Sequence, residues 1–387
     1  MDPSLSGVNA QAPVIEAPID ISAMASFILS LQRENGEIPW SQGGKTDPWD
    51  HVESAMGLAS AGQIRQAEEA YRWMAAQQLP DGSWYASYQD GKPLDKTRDA
   101  NMSAYIAVGV FHHFLLTGEE GFIREMWPVI GAGIEYALGL QAPGGEIYWA
   151  RNPKGQVDKM ALLTGSSSIF MSLKCALAMG RIIGKHTGHW QEACDRLGEA
   201  IRNKPNLFNM IKTRFSMDWY YPVLCGAISG REAKCRISRQ WDKYVAPGWG
   251  VRCVSDRPWV TLAETSELVL TLAAIEEYDQ GKIVLGWISG MKYEDGSYWM
   301  GVTFPDGVVW PEERTSWTAG AMLLAHDALY QATPGSLLFN HRFWSRMEGE
   351  KGSGKGTAVR ELIDELMGSR KTPISSLGGH PGLMVSR

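Results

Sequence analysis

One local pattern recurs along the chain and limits what it can fold into. It reads LQRENGEIPW from Leu31, QQLPDGSWYASY from Gln77, LQAPGGEIYWA from Leu140 and MKYEDGSYWMG from Met291. In each copy a helical segment ends, a glycine follows, and aromatic residues come next. Glycine supplies the left-handed conformation that closes a helix or turn, and a preceding Asp or Asn favours the same geometry. The pattern therefore predicts a series of repeated helix-to-loop junctions.

The spacing of the repeat predicts a ring of helical hairpins. Polar clusters open six apolar helices near residues 50, 100, 165, 218, 264 and 313. Between them lie amphipathic segments, one of which places Ala67, Ala70 and Met74 on one face. The others are predicted over 122–140, 190–202, 231–244 and 280–291, with a first helix over 21–32 that pairs with the last inner helix. The fold class is therefore all-α, a single-domain (α/α)6 toroid of six helical hairpins.

The ends of the chain fall outside this repeat. Residues 1–19 are predicted to be an N-terminal arm, residues 20–333 the catalytic toroid, and residues 334–387 a C-terminal tail, partly flexible, with one short helix. The tail is rich in Gly, Ser and basic residues, whereas the repeat before it is rich in Ala, Met and Trp. The predicted toroid therefore accounts for most of the chain.

Composition excludes several classes of partner. The formal net charge is −6, with no long basic run that could meet nucleic-acid phosphates. The N-terminus lacks the pattern of a secretory signal, and no apolar run approaches the roughly 20 residues that span a bilayer. We therefore expect a cytoplasmic protein without nucleic-acid or membrane partners, and leave its oligomeric state open. Five scattered cysteines and no His cluster of metal spacing predict reduced thiols, no metal and no cofactor.

Acidic residues gather where the inner helices begin. They are Asp47, Asp50, Asp99, Asp218, Glu264, Glu312 and Glu313. Helix capping explains such acids without any chemistry. A ring, however, points them all at one mouth, and glycoside hydrolysis needs a protonated carboxyl and an ionised one on either side of the scissile bond. Asp47 and Asp50, three residues apart, and Glu264, in the most apolar surroundings, are the predicted catalytic residues, with Glu264 as acid and an Asp as base.

Tryptophans also concentrate near the predicted mouth, and the chain carries 16 of them. Aromatic rings suit the apolar C–H faces of sugars, although many tryptophans serve only to pack loops. Asp99 and Asp218 could bind sugar hydroxyls or cap helices, and arginines there could orient carboxylates or bind substrate. The predicted substrate-binding residues are Trp40, Trp49, Asp99, Asp218, Trp219, Tyr220, Arg257, Trp259, Glu313 and Trp317. The predicted partner is an oligosaccharide or polysaccharide.

Several stretches carry a resemblance to a known family. They are KTDPWDHVESAMGL, RDANMSAYIAVGVFHH, RFSMDWYYPVL, GVRCVSDRPWVTLAETSELVL and WPEERTSWTAGA, within residues 32–334. The chain resembles the actinobacterial six-hairpin family of methylmannose polysaccharide hydrolases. The resemblance implies an endo-acting α-mannosidase on an intracellular α-1,4-mannan that is partly O-methylated, a 6-O-methylmannose polysaccharide. It also suggests Asp47, Asp50 and Glu264 as the acids to carry over.

Two other classes of function stay open at this point. The glycine turns also resemble those of terpene cyclase and protein prenyltransferase toroids. The sequence has no DxDD run, however, and the Asp, Cys and His zinc set of the prenyltransferases cannot be assembled. A non-catalytic toroid that binds a glycan by stacking is the other alternative.

Overall fold

A computed structural model describes residues 19–349 and 356–368. The predicted N-terminal arm lies outside these residues apart from Ile19. Six helices form an inner ring, and they begin within a few residues of the predicted starts. They are α2 (Pro48–Ser60), α4 (Ala100–Ala104) continued by α5 (Ile106–Thr117), α7 (Leu163–Ile183), α9 (Met217–Leu224), α12 (Leu262–Ala274) and α14 (Ser316–Tyr330).

The outer helices run back between these and complete six hairpins. They are α1 (Ile21–Leu31), α3 (Ile64–Gln77), α6 (Glu120–Leu138), α8 (Gly188–Asn203), α10 (Gly230–Arg239) with the short α11 (Trp241–Tyr244), and α13 (Tyr278–Ile288). In α3, Ala67, Ala70, Tyr71 and Met74 are buried as the periodicity predicts, while Arg65 and Arg72 remain exposed. The predicted (α/α)6 toroid is confirmed.

The ring closes where the last inner helix meets the first. α14 packs against α2 with glycines at the crossing. A β-carbon added to Gly57 would lie 2.7 Å from the Cα of Gly320, and one added to Gly320 would lie 2.9 Å from the Cα of Ser54. Such distances are shorter than real carbon contacts, so only glycine permits this backbone approach. Two glycines about 260 residues apart in the chain therefore allow the first and last inner helices to pack closely and close the ring.

The recurrent turns found in the sequence tie each outer helix to the next one. Gln78, just after α3, donates its side-chain N–H to the carbonyl of Gly82 in its own turn at 3.0 Å and to Val129 of α6 at 2.9 Å. Gln32 and Gln141 make the same two kinds of bond in their turns. Gly82 has φ +86°, which an L residue seldom adopts. The fourth copy has Lys292 in place of glutamine.

Short antiparallel strands lie in the connections that precede the inner helices. One hairpin joins β1 (Ser87–Gln89) and β2 (Lys92–Asp95). A second sheet has the order β3 (Arg98–Asp99), β4 (Tyr148–Arg151) and β5 (Val157–Ala161). A third has the order β6 (Val245–Ala246), β7 (Gly250–Arg252), β8 (Trp259–Thr261) and β9 (Gly301–Thr303). These sheets build the rim of the mouth, where all six inner helices begin.

The C-terminal tail contains more structure than the single short helix predicted. Two helices follow the ring, α15 (His341–Gly349) and α16 (Gly356–Gly368). The aromatic ring of Phe343 lies 6.4 Å from that of Phe111 of α5, centre to centre, and Leu362 and Ile363 are buried. Because an amphipathic pattern is hard to see among Gly, Ser and Lys residues, composition concealed these helices.

Helix α7 is long and apolar enough to cross a membrane by length and composition. However, 94% of its most apolar stretch is buried inside the protein. It lies between α5 and α9 in the inner ring. The apolar character of α7 is therefore that of a helix in a protein core.

Candidate active site

The first acids of the site lie on α2. Asp47 is the N-cap and accepts the backbone N–H of Asp50 at 3.0 Å, while Pro48 occupies the first helical position. Asp47 is buried, and Asp50 is half-buried. Burial first, and then the neighbouring Asp47 and Glu53 carboxyls, raise the pKa of Asp50 well above its usual range, against a smaller opposing effect of Lys45. Asp50 therefore keeps its proton to higher pH than an ordinary aspartate.

One helical turn deeper on α2 lies Glu53, with only 2% of its surface exposed. Its Oε2 accepts the indole N–H of Trp49 at 3.1 Å. Burial raises the pKa of Glu53 to about 7. Trp317 lies close enough to lower this pKa, although its indole N–H makes no hydrogen bond of ordinary geometry. Asp47, Asp50 and Glu53 thus form a ladder of acids along one helix.

A second set of acids lies on α12. Glu264 accepts a hydrogen bond from the hydroxyl of Thr261, and the thiol of Cys253 is a further partner. Burial raises the pKa of Glu264, as predicted, and both partners oppose the rise by stabilising the anion. Glu267, one turn deeper and fully buried, accepts the hydroxyls of Tyr221, at 2.6 Å, and Tyr220. Burial and the charge of Glu53 raise the pKa of Glu267 well above its usual range.

Aromatic side chains connect the two sets. The ring of Trp49 lies 5.5 Å from that of Tyr105 and 5.6 Å from that of Tyr221, measured between ring centres. At the rim, the rings of Trp40 and Trp317 lie 6.0 Å apart. The indole N–H of Trp40 donates to Glu313 at 3.3 Å. The structure therefore brings together Trp49, Trp40, Trp317 and Glu313 of the predicted binding residues.

Asp99 and Asp218, which were predicted either to bind sugar hydroxyls or to cap helices, both cap helices. Asp99 accepts the backbone N–H groups of Asn101 and Met102 at the start of α4, and burial raises its pKa to about 6. Asp218 accepts the backbone N–H and the hydroxyl of Thr164 at the start of α7, and burial raises its pKa as well. One oxygen of Asp218, Oδ2, is buried without a partner. Capping, the simpler of the two predicted roles, is therefore the contact that these acids make.

Three other predicted binding residues have different surroundings. Trp219 is 1% exposed, stacks on Tyr244 with ring centres 5.0 Å apart, and donates its N–H to the carbonyl of Arg236. Its prediction as a sugar-binding residue is corrected, because the ring faces the outer helices and is fully covered. Arg257 is exposed on a mouth loop. Trp259 is half-buried there and donates its N–H to the carbonyl of Trp310 at 2.6 Å.

Tyr220 is also completely buried and reaches only Glu267 within the site. It therefore supports an acid rather than a ligand surface. Glu53 and Glu267 were not predicted from the sequence, because they lie beyond the first turn of their helices, where the other acids gather. Their signal was the spacing of three: Asp50 precedes Glu53, and Glu264 precedes Glu267, by one turn.

Several polar atoms near the starts of the inner helices are buried without a hydrogen-bond partner. They include Oδ1 of Asn101, Oγ of Ser166, Oδ2 of Asp218 and Nε1 of Trp317. They lie on the first two turns of α4, α7, α9 and α14. Buried polar atoms normally have partners, so these four atoms are exceptions at the helix starts that form the mouth. In the described part of the chain, no three His, Cys, Asp or Glu side chains are grouped to hold a metal ion.

An (α/α)6 ring whose mouth holds crowded carboxyls of unequal proton affinity beside open tryptophan faces is the arrangement of a glycoside hydrolase. Solved structures share the fold. A wild-type glycosidase has a TM-score of 0.60 at 13% identity, covering 81% of this chain and 96% of that one. A D-mannose isomerase has a TM-score of 0.61 at 11% identity, covering 81% of this chain and 95% of that one. A sugar epimerase from a ruminal bacterium has a TM-score of 0.60 at 10% identity, covering 78% of this chain and 95% of that one. At these identities the likeness shows the fold alone.

A curated relative gives the family. The MMP endo-(1,4)-3-O-methyl-alpha-D-mannosidase of Mycolicibacterium hassiacum is 46% identical over 349 residues, which cover 90% of this chain and 97% of the relative. The chain therefore belongs to the family of this methylmannose polysaccharide hydrolase, as the resemblance implied, and it is a glycoside hydrolase. No family model matches the chain.

Proposed function

We propose that this protein is a cytoplasmic endo-α-1,4-mannosidase that cleaves a 3-O-methylated mannan with Asp47, Asp50 and Glu264. The observation that carries the proposal is that acids of α2 and α12 meet at Trp49 in a relative of a 3-O-methyl-mannosidase: Glu53 accepts the Trp49 N–H, and Glu267, whose pKa the charge of Glu53 raises, holds Tyr221 against the Trp49 ring. The sequence resemblance had implied a 6-O-methyl group. The relative is a 3-O-methyl-mannosidase, which favours a methyl group on O3 of the sugar instead.

The unequal surroundings of the acids support a division of labour. Burial and two acidic neighbours on its own helix, Asp47 and Glu53, raise the pKa of Asp50 and so favour its protonated form. Glu264 has two hydrogen-bond donors beside it, Thr261 and Cys253, which favour its anion. We therefore assign the proton donor to Asp50 and the carboxylate to Glu264, which reverses the roles expected from the sequence. Asp47 positions Asp50 through its cap and through a side-chain hydrogen bond.

In this mechanism Asp50 protonates the glycosidic oxygen as its bond to the anomeric carbon breaks. The carboxylate of Glu264 stabilises the positive charge that develops on the sugar and assists attack at the anomeric carbon. One water is consumed, its hydroxyl passing to the anomeric carbon and its proton restoring Asp50. The net reaction is hydrolysis, with no oxidation or reduction.

The rim suits a methylated glycan. Among the described residues, five of the six exposed large apolar side chains lie in the loops that precede inner helices: Leu94, Met210, Ile211, Val308 and Trp310. The sixth, Tyr330, lies at the end of α14, on the opposite side of the ring. Apolar surface on a rim gains from contact with O-methyl groups, which hydroxyls would not supply. The five cysteines are all free, which accords with a reducing compartment.

Hydrolysis of defined oligosaccharides tests the proposal. The purified protein is incubated with α-1,4-mannan oligosaccharides of graded length that are 3-O-methylated, 6-O-methylated or unmethylated, and products are read by mass spectrometry. We expect internal fragments from the 3-O-methylated series, and their loss in Asp50→Asn and Glu264→Gln. Asp327→Asn, a buried acid at the far end of α14, is the matched control and should cleave normally. Release of single sugars only, or wild-type rates in both site variants, would refute the proposal.

A further inference from the structure

Two acids of the site are too deep to touch a substrate. Glu53 is 2% exposed and Glu267 is 0% exposed, and each lies one helical turn below a candidate catalytic acid. The mechanism proposed above uses Glu53 only as a charged neighbour of Asp50, and it does not use Glu267. Burying a carboxyl is costly, and an apolar side chain of similar size would often pack there more stably. The contacts of these acids therefore need an explanation.

The contact of Glu53 is with Trp49. The indole N–H of Trp49 donates to Oε2 of Glu53 at 3.1 Å, across one turn of α2. Trp49 is half-buried and directly precedes Asp50 in the chain. A half-buried indole has several accessible rotamers, and a hydrogen bond to a fixed, buried acceptor selects one of them. Glu53 thus fixes the orientation of the Trp49 indole.

The contact of Glu267 supports the same indole from its other side. Oε1 of Glu267 accepts the hydroxyl of Tyr221 at 2.6 Å. The ring of Tyr221 meets the ring of Trp49 edge-on, with centres 5.6 Å apart and planes at 76°. Tyr220 occupies the other oxygen of Glu267, so this carboxyl cannot turn away. Two carboxyls on two inner helices therefore fix one tryptophan.

We propose that Glu53 and Glu267 are positioning residues that hold Trp49, through its N–H and through Tyr221, as the aromatic floor on which a sugar ring is placed beside Asp50. This inference rests on the proposed glycosidase function. It names Trp49 as the substrate-contacting residue of the group. Misplacement of a bound sugar by a fraction of an ångström removes much of the advantage of orientation, so the framework affects both binding and rate.

A double-mutant cycle on Trp49 and Glu53 tests the inference. Glu53→Met keeps length and helix propensity but cannot accept a hydrogen bond, whereas Glu53→Gln keeps an acceptor oxygen. We expect Glu53→Met to lower kcat/KM on the mannan oligosaccharide by roughly tenfold to a hundredfold, with KM raised. Glu53→Gln should stay within about threefold of wild type because its amide oxygen still accepts the indole N–H. In the Trp49→Phe background, Glu53→Met should add less than about threefold.

Each outcome decides the inference. Additive losses from Glu53→Met and Trp49→Phe would mean that Glu53 does not act through Trp49. A folded Glu53→Gln as inactive as Glu53→Met would mean that Glu53 acts through its charge or proton. If Glu53→Met does not fold, Tyr221→Phe cuts the link to Glu267 with little change of shape. Tyr221→Phe should raise KM when it is introduced into the wild-type enzyme. It should change KM little when it is introduced into the Trp49→Phe variant. A wild type that neither cleaves nor binds the mannan would reject the proposed function, whereas additivity in an active enzyme rejects only this inference.

Discussion

The recurrent glutamine turns should carry a large and equal share of the stability of the ring. Gln78→Met keeps the length of the side chain but removes its two hydrogen bonds, to Gly82 at 3.0 Å and to Val129 at 2.9 Å. Each bond contributes about 1 kcal/mol net, and leaving a partly buried carbonyl unpaired adds about 1 kcal/mol or more. We therefore expect Gln78→Met to lower the free energy of unfolding by about 2–4 kcal/mol.

The other copies of the turn make this prediction internally controlled. Gln32→Met removes an equivalent pair of bonds. Gln141→Met also removes an equivalent pair, together with the bond that exposed Arg196 donates to the side-chain oxygen of Gln141, which contributes little at the surface. Both substitutions should cost the same as Gln78→Met within about 1 kcal/mol. Gln191, which is exposed and bonds only to Asp195, provides the control substitution, and Gln191→Met should cost less than about 0.5 kcal/mol. Urea unfolding followed by circular dichroism gives the midpoint and slope for each variant. A Gln78→Met midpoint equal to that of Gln191→Met would show that the backbone alone holds these turns.

Three further predictions concern pH and specificity. kcat/KM should fall on the alkaline side as Asp50 loses its proton. Lys45→Gln removes a cation that lowers the pKa of Asp50, so it should move this alkaline limb to higher pH. An unmoved limb would count against Asp50 as the acid. Burial raises the pKa of Asp327 to about 6, so wild-type stability is lost as pH rises through this value. Asp327→Asn should therefore be about 1–3 kcal/mol more stable than wild type at pH 7.5, with the gain gone below about pH 4 when unfolding is measured across pH. Ile211→Ser should lower kcat/KM about threefold to tenfold on 3-O-methylated but not unmethylated oligosaccharides, whereas Tyr330→Ser, also exposed, should change neither.

The ring could be predicted from the sequence because its signals are local. Gln32, Gln78 and Gln141 each lie four residues before the glycine of their turn, so both the motif and its main contact are written within one short stretch. The bond from each glutamine to the next outer helix was not visible. It spans 34, 51 and 52 residues for Gln32, Gln78 and Gln141, and nothing in a local pattern specifies which helix a donor will meet.

The prediction of the site was limited because a short helix does not reveal, from its sequence, which of its sides faces the site. α9 has only eight residues, and its sequence MDWYYPVL contains three consecutive aromatic residues, which lie on different sides of the helix. The pattern therefore could not decide that Trp219 faces the outer helices while Tyr221 faces Trp49. Glu53 and Glu267 lie among Ser, Ala, Leu and Val residues that read as core. An acid in such surroundings becomes meaningful only once its partners, Trp49 and Tyr221, are located in space.

The contact of Gly57 with Gly320 has a consequence for how the chain folds. Gly57 on α2 and Gly320 on α14 are separated by most of the chain. During synthesis α2 is therefore made long before α14, the helix that covers it. Until the sixth hairpin emerges, the flank of α2 is an open apolar edge at risk of sticking to other chains. Substitutions at this seam should therefore lower both the stability of the finished molecule and the yield of folded protein during synthesis.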